Sequence, residues 1–303
     1  MLSLFTTAKP FLGHSAVIQR NALRSWTCLH PDAEVILFGE DCGAAEISAE
    51  LGLRHEPHVL RNDSGLKRLD DMFARAQSIA RYDLLCYINC DIILLRDFCE
   101  ALDFVRTAHK SFLMVGRRWD TPISDPLAFE HPGTEKQLRA TVRASGILRG
   151  PDCIDYFAFP RGLYADIPPL VVGRIWWDHW LAWKAGHLGA AVVDATSRVL
   201  AVHQNHDYGY HPSGAVGVWQ DEYARRNYQL AGGRWRLHTI ADATHILNPH
   251  GEDRNLLRLW APYWRLLRPK LVFLWFALLG VTRPLRRLLG LHRRPVLTPR
   301  ELR

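Results

Sequence analysis

Residues 84–95 read LLCYINCDIILL, an apolar run whose strongly polar members are Asn89 and Asp91. A run of this kind is typical of a strand that is buried in a sheet. A buried carboxylate is costly unless a cation or hydrogen-bond donors compensate it. We therefore expect Asp91 to have a partner, and a divalent metal ion at the end of a strand is the most economical one. The alternative is an aspartate that forms a turn or caps a helix.

The segments around this run alternate between strand and helix patterns. Apolar runs predict strands, and apolar residues at helical spacing predict the helices between them. This alternation is typical of an α/β fold with a mostly parallel sheet and helices on both faces. The predicted strands are 2–7, 34–38, 55–60, 84–95 and 112–115, and the predicted helices are 14–29, 44–51, 65–80 and 98–107.

Polar residues stand where three of the predicted strands end. In a parallel α/β sheet, ligands bind beyond the carboxyl ends of the strands. We therefore expect these residues to share one edge of the sheet, which we call the rim, although they lie far apart in the sequence. They are Thr6 and Thr7, Glu40 and Asp41, and Asn89 with Asp91. Residues 119–135, rich in Pro, Asp and Gly, are predicted to form a loop over the rim.

The second half of the chain carries three further motifs: DYFAFP at 155–160, WWDHWL at 176–181 and HQNHDY at 203–208. With the NCDI of 89–92, their order along residues 1–230 resembles GT-A-type nucleotide-diphosphosugar transferases. The resemblance implies a GT-A-like, Rossmann-type sheet. Residues 89–91 then form an Asn-x-Asp variant of the family's Asp-x-Asp motif.

The resemblance also implies a metal site. Asp91 would bind Mn²⁺ or Mg²⁺, which bridges the two phosphates of the donor and neutralises charge on the leaving nucleoside diphosphate. Asn89, in the first acidic position, would face the ribose or a metal-bound water. A late histidine often completes such sites, and here His203 or His206 takes that place. The other of the two would contact phosphate, or lie on the surface without a role.

Further donor-binding residues are expected along the rim. Lys67 and Arg68 begin a predicted helix, where cations are unfavourable for the helix dipole unless they face an anion such as a diphosphate. The alternative is a solvated pair. Glu40 or Asp41 would accept hydrogen bonds from the uracil or the ribose, unless they form an ordinary acidic turn.

Two carboxylates are candidates for catalysis. An inverting transferase needs a base for the acceptor hydroxyl, and Asp178, set among tryptophans, suits that role because burial raises a carboxyl pKa. Asp155 is a second candidate that would bind donor or acceptor hydroxyls. The alternative for each is a buried structural aspartate or a helix cap.

Charge and cysteines restrict the partners and the location. The net charge is +7, but residues 254–303 alone carry +11, which leaves −4 on residues 1–253. Nucleic acid is therefore not an expected partner, because its basic surface should lie on the folded domain. The six cysteines form no CxxC pair and the amino terminus shows no secretory pattern, so we expect reduced thiols and a cytoplasmic protein.

The expected organisation is a GT-A domain over residues 1–253, with a nucleotide-binding half at 1–115 and an acceptor and catalytic half at 116–253. Residues 254–303 are predicted to form a basic, aromatic, amphipathic helical tail. The tail suits an anionic membrane surface on the cytoplasmic side. It could instead pack on the domain or mediate oligomerisation.

These patterns predict a metal-dependent hexosyl- or N-acetylhexosaminyl-transferase. The expected donor is a nucleotide-diphosphosugar, with UDP as the nucleotide, and the expected acceptor is a glycan or a lipid-linked saccharide. One alternative is a catalytically silent relative that binds nucleotide or sugar as an assembly partner, since Asn89 replaces an acid. A sugar nucleotidyltransferase is the other, but residues 6–10, TTAKP, lack the glycines of its usual phosphate loop.

Overall fold

The computed structural model describes residues 1–206 and 218–260. The chain divides into a large unit, Met1–Leu256, and a second unit, Leu257–Arg303, of which the described part is the end of a short 3-10 helix at Leu256–Trp260. The predicted helical tail beyond residue 260, and Asp207 and Tyr208 of the HQNHDY motif, lie outside the described residues.

The large unit alternates strands and helices as the sequence predicts. The strands are β1 (Ser3–Thr7), β2 (Glu34–Phe38), β3 (Arg54–Glu56), β4 (Leu84–Ile88), β5 (Ile92–Ile93), β6 (Phe112–Val115), β7 (Arg118–Thr121), β8 (Ile147–Leu148), β9 (Tyr156–Pro160), β10 (Ala191–Asp194), β11 (Ala201–Gln204), β12 (His245–Asn248) and β13 (Gly251–Arg254). The helices are α1 (Gly13–Thr27), α2 (Ala44–Leu51), α3 (Leu69–Ile79), α4 (Arg96–Ala108), α5 (Thr134–Ser145), α6 (Trp177–His187) and α7 (Glu222–Leu230).

Nine strands form one large, mostly parallel sheet in the order β13-β12-β10-β6-β9-β4-β1-β2-β3. Strands β9 and β13 run antiparallel to their neighbours, and the other pairings in this sheet are parallel. The carboxyl ends of β1, β2 and β4 therefore meet at one edge. The expected α/β architecture with a mostly parallel sheet is confirmed.

Two hydrophobic cores lie on the two faces of this sheet, because side chains alternate along each strand. Leu4 of β1 packs in the core that contains α1, α2 and α4, whereas the next residue, Phe5, packs in the core that contains α3 and α6. Cys86 and Tyr87 of β4 divide between the two cores in the same way. Helices thus cover both faces, as predicted.

The prediction of one long strand over 84–95 is wrong. The chain leaves the large sheet after Ile88 and re-enters a smaller, four-stranded sheet at Ile92, in the order β5-β11-β7-β8. Both halves are apolar because each is buried, and burial alone does not tell which sheet a strand joins. Asn89, Cys90 and Asp91 form the junction between the two sheets.

Other boundaries also differ from the predictions. The strand predicted over 55–60 is Arg54–Glu56, because its partner β2 ends at Phe38, opposite Glu56. The helices predicted over 14–29 and 98–107 are Gly13–Thr27 and Arg96–Ala108.

Residues 119–121 belong to β7 rather than to a loop, because their backbone pairs with β11, a partner far away in the sequence. The helix predicted over 65–80 begins only at Leu69. Residues 67 and 68 are instead extended and bridge to Arg61 and Val171.

In residues 1–206 and 218–260, no helix has the length and hydrophobicity that crossing a membrane requires.

Candidate metal and nucleotide site

The junction between the two sheets carries Asp91 into a cluster with two histidines. Oδ2 of Asp91 lies 3.0 Å from Nε2 of His206 and 3.9 Å from Nε2 of His203. The three side chains each offer a ligand atom, and these atoms all lie within 4.8 Å of one another. The structure therefore brings together the three residues that the sequence analysis named as metal ligands.

Backbone pairing explains why the histidines reach Asp91. Strand β11 runs antiparallel to β5 with His203 opposite Ile92, the residue that follows Asp91. The backbone N–H of Gln204 donates to the Asp91 carbonyl at 3.3 Å, and its side-chain Nε2 donates to the same carbonyl at 3.2 Å. Gln204 is fully buried, so the segment 203–206 is fixed against the junction.

The Asp91 carboxylate has an unused ligand position. Its Oδ1 is sealed from solvent and has no hydrogen-bond partner among the described residues. Burial acts to raise its pKa, but the hydrogen bond from His206 and the positive charges of His203 and Lys9 outweigh burial, so its pKa lies below the usual range. The carboxylate is thus held ionised with a lone pair to offer, which fits a bound cation.

A fourth residue, Asp120, contacts the ring nitrogen of His203 that faces away from Asp91. In the parallel register of β7 and β11, His203 stands opposite Asp120, and Nδ1 of His203 lies 3.0 Å from Oδ1 of Asp120. The two atoms lie within hydrogen-bonding distance but lack the alignment of a full hydrogen bond, since Nδ1 has no hydrogen-bond partner by geometry among the described residues. A carboxylate behind a histidine commonly orients metal-binding imidazoles. The sequence analysis missed Asp120 because it lies in the segment interpreted as a loop.

Asp155 is the centre of a second polar group, next to the first. Strand β9 runs antiparallel to β4 and begins opposite Ile88, so Asp155 lies beside the end of β4. Its Oδ1 accepts hydrogen bonds from Nδ2 of Asn89 at 2.8 Å and from Nη1 of Arg118 at 2.9 Å. Arg118 also pairs with Asp120 at 2.9 Å, which links Asn89, Asp155 and Asp120 in one network.

Within this network, the side chains of Asn89 and Asp155 are both engaged in contacts with other residues of the protein. Asp155 is 5% exposed and engaged by an arginine, so its contacts are those of a positioning residue. The amide of Asn89 is directed to Asp155. Their roles in binding donor or acceptor remain predictions.

A buried ion pair lies at the same edge, between Asp41, which follows β2, and Lys67, which precedes α3. The ammonium of Lys67 pairs with Asp41 and donates to the Ala8 carbonyl at 2.8 Å, and Lys67 is 8% exposed. Burial lowers the pKa of Lys67, and Asp41 acts against that lowering. The Lys67 charge also acts on the buried thiol of Cys90, in the sheet junction. Lys67 and Asp41 thus lie on the predicted rim.

The remaining predicted binding residues occupy different surroundings. Thr6 is fully buried, and the Thr7 hydroxyl donates to the Phe38 carbonyl at 3.0 Å. Glu40 is exposed. Nε of Arg68 donates to Asp70 at 3.1 Å, so Arg68, unlike Lys67, forms its ion pair within its own segment.

Asp178 stands in the first turn of α6, beside the rim. Trp177, its neighbour, packs on Tyr87 of β4 with ring centroids 5.3 Å apart. Burial raises the pKa of Tyr87, and the carboxylates of Asp91, Asp155 and Asp178 raise it further. The packing of Trp177 therefore places Asp178 on a helix that lies against β4, the strand that leads to Asp91.

The Asp178 carboxylate is poorly solvated. Its side chain is 20% exposed, but Oδ1 is sealed and has no hydrogen-bond partner among the described residues. Burial raises the pKa of Asp178, and the Asp155 charge adds to that rise, against the lowering influence of His179. A carboxyl group with a raised pKa is better suited to accept a proton than an ordinary aspartate.

Backbone strain marks the start of the same helix. Trp176 has φ of 90°, the only positive value at a non-glycine among the described residues. A bulky residue in this region costs on the order of 1–3 kcal/mol, and such strain concentrates at functional sites. The strained turn fixes the direction in which α6 presents Asp178.

No protein-family model matches the chain, and no curated protein matches it significantly. Solved structures that it resembles include glucosyl-3-phosphoglycerate synthase from Mycobacterium tuberculosis, at a TM-score of 0.48 and 14% identity over 79% of this chain and 86% of that one. The same enzyme in complex with Mn²⁺, UDP and phosphoglyceric acid gives a TM-score of 0.45 and 16% identity over 77% and 79%.

Another solved structure, S. aureus TarS 1-349 in complex with UDP-GlcNAc, gives a TM-score of 0.45 and 12% identity. The alignment covers 68% of this chain and 58% of that one. Because these TM-scores lie below 0.5, we draw no functional conclusion from the likenesses.

Proposed function

We propose that the chain is a GT-A-type glycosyltransferase that uses a divalent metal ion to bind a nucleotide-diphosphosugar. The observation that carries this proposal is the cluster of Asp91, His203 and His206 at the carboxyl end of β4. A cation site at this edge of a parallel sheet lies where such folds bind their ligands. The order of the motifs along the chain supports the same family.

The donor set favours Mn²⁺ over Mg²⁺ as the ion. Mg²⁺ takes oxygen ligands almost exclusively, whereas two imidazoles with one carboxylate suit transition ions. When bound, the ion would neutralise the diphosphate as the nucleotide leaves. Asp91 would offer its sealed Oδ1, and Asp120 would keep His203 in the ligating orientation.

The other rim residues would bind and orient the substrates. Lys67 is a buried cation that can share its charge between Asp41 and a donor phosphate, and Asp41 would accept hydrogen bonds from the nucleoside. Asp178 would take the proton from the acceptor hydroxyl, which its raised pKa favours. Asp155 would hold Asn89 and Arg118 in place around the donor.

The donor we expect is a UDP-sugar, and the acceptor a glycan or a lipid-linked saccharide. A membrane-associated acceptor follows from the basic composition of residues 254–303, which would place the enzyme peripherally on the cytoplasmic face of the membrane. The chain without residues 257–303 should then lose binding to anionic vesicles in a flotation assay. Equal flotation of the shortened chain would contradict the membrane proposal alone.

A donor screen by thermal shift tests the proposal. A ligand that binds the native state raises stability by about 2.7 kcal/mol at one hundred times its Kd. In a domain of this size that corresponds to roughly 5–11 °C in Tm. We expect a UDP-sugar to give such a shift with Mn²⁺ and a much smaller one with EDTA.

The isosteric variant Asp91→Asn serves as the control, because it keeps the shape of the junction and removes the charge. It should lose the Mn²⁺-dependent part of the shift. If no nucleotide-diphosphosugar changes the Tm of the wild-type protein, the assignment is wrong.

A further inference from the structure

A second group of metal-ligating side chains lies on the large sheet, at the end opposite the rim. It consists of His109, His245 and Glu252, and we call it the far cluster. His109 precedes β6 and His245 begins β12, so both stand at the amino ends of parallel strands. Asp91, in contrast, follows the carboxyl end of β4. The far cluster therefore belongs to a different site.

Strand register explains why the far cluster forms. In the hairpin of β12 and β13, Leu247 pairs with Glu252 and His245 pairs with Arg254. Residues 245 and 247 share a face, and Glu252 is the diagonal neighbour of His245 on it. Leu247 packs in the core that contains α4, so this is the face that α4 covers. His109 is the residue that ends α4, and it reaches the same place.

The geometry of the far cluster is compact. Nε2 of His109 lies 2.9 Å from each carboxylate oxygen of Glu252, and the rings of His109 and His245 lie 4.9 Å apart. One ligand atom from each residue lies within 4.8 Å of the other two. The side chains of His109 and Glu252 are 21% and 12% exposed, so the group is sheltered yet open to a small ion.

One ring nitrogen of His245 is also held in place. Its Nδ1 lies 2.8 Å from Oγ1 of Thr244, which in turn donates to the Val192 carbonyl at 3.0 Å. Metal-binding histidines characteristically have a polar group on the nitrogen that does not ligate, which fixes their orientation. The far cluster thus has both a ligand set and an outer support.

We propose that His109, His245 and Glu252 form a Zn²⁺ site that is separate from the rim. Two imidazoles and one carboxylate are a ligand set that Zn²⁺ takes with its fourth position open to water. Three elements of the fold contribute: the end of α4, β12 and β13. A bound ion would tie the last hairpin of the large unit to α4, so its main effect would be on stability.

Zinc stoichiometry of the full-length protein tests this. Metal-free wild type, Glu252→Gln and His245→Gln are dialysed to equilibrium against buffered Zn²⁺, and the bound metal is measured by elemental analysis. Each variant should bind one ion fewer than wild type, or bind that ion at least about 10-fold more weakly, since even outer-shell changes cost 10–100-fold. His250→Gln is the matched control, because His250 is an exposed histidine of the same hairpin.

The rim is expected to bind Zn²⁺ as well, so the two sites must be separated. Asp91→Asn removes the charged rim ligand, and Zn²⁺ should still raise the Tm of that variant through the far cluster. The double variant Asp91→Asn/Glu252→Gln should show a much smaller Zn²⁺-dependent shift than Asp91→Asn alone. Circular dichroism of the metal-free variants verifies their folding. If His245→Gln does not fold, the test depends on the isosteric variant Glu252→Gln alone.

Wild-type stoichiometry together with wild-type Zn²⁺ affinity in both Glu252→Gln and His245→Gln would overturn the proposal, and the far cluster would then be only a hydrogen-bonded His–Glu pair. A Zn²⁺-dependent shift that is as large in the double variant as in Asp91→Asn would overturn it equally. Neither result bears on the proposed transferase, which depends on the rim.

Discussion

Replacing Asp120 by Asn should weaken metal binding without removing a metal ligand. Asp120 is not one of the three clustered ligands, but its Oδ1 lies 3.0 Å from Nδ1 of His203, whose Nε2 faces the Asp91 carboxylate. The substitution keeps the size of the side chain and removes its charge. The imidazole of His203 then loses the group that sets its orientation and increases its basicity as a ligand.

The expected loss follows from this single contact. Outer-shell carboxylates of metal-binding histidines contribute 10–100-fold in affinity, which is about 1.4–2.8 kcal/mol. The fold itself should change little, because Arg118, one of the two arginines that pair with Asp120, keeps its pair with Asp155 at 2.9 Å, and the other, Arg149, is half-exposed. We therefore expect the Kd for Mn²⁺ to rise by that factor while the Tm of the metal-free protein stays near that of wild type.

Mn²⁺ titration, followed by the electron paramagnetic resonance of the free ion, measures this Kd directly. Asp103→Asn is the matched control, because Asp103 is an exposed aspartate that pairs with Arg106 on α4. Its Kd should equal that of wild type. An unchanged Kd in Asp120→Asn, together with a large loss in His203→Gln, would refute the assigned role of Asp120.

Further predictions concern the rim and the expected base. Lys67→Met leaves Asp41 without its buried cation and should lower the free energy of unfolding, measured in urea, by up to about 3 kcal/mol. Adding Asp41→Asn should restore much of that free energy. Additive effects of the two substitutions would contradict the pairing. Asp178→Asn should reduce sugar transfer on the order of 10²–10⁴-fold if Asp178 is the base, and transfer at the wild-type rate would exclude that role. The pKa of Asp178 in the folded protein lies above 3.8, so ionisation of this carboxyl group opposes folding as the pH rises through the raised pKa. Asp178→Asn should therefore be more stable than wild type at pH 7. Below about pH 3.8 the two proteins should be equally stable.

The parallel sheet and its rim could be predicted from the sequence because they depend on local patterns. Strands β2 and β6 and helix α2 have the predicted bounds, since each is a short periodic or apolar segment between polar residues. The meeting of Thr7, Asp41 and Asn89 at one edge needs only the rule that parallel strands end together. The approach of His203 and His206 to Asp91 followed from the family resemblance rather than from any local pattern.

Long-range pairing explains what the sequence analysis missed. Asp120 lies opposite His203 only because β7 pairs with β11, and nothing in the residues around 120 indicates this partner. The sequence also gives no sign that the strand breaks after Ile88, because the residues on both sides of the break are apolar. The far cluster brings His109 to Glu252, 143 residues away, through strand register that no local pattern contains.

The most direct test of the central claim is the release of UDP from UDP-sugars by the full-length protein, measured with Mn²⁺ and with EDTA, in wild type and in Asp91→Ala. We expect Mn²⁺-dependent turnover in wild type that is abolished by EDTA and in the variant. Turnover that survives in Asp91→Ala would contradict the assigned role of the cluster of Asp91, His203 and His206. Donor binding by wild type without any turnover, across acceptors and donors, would show a silent binding protein instead of a transferase.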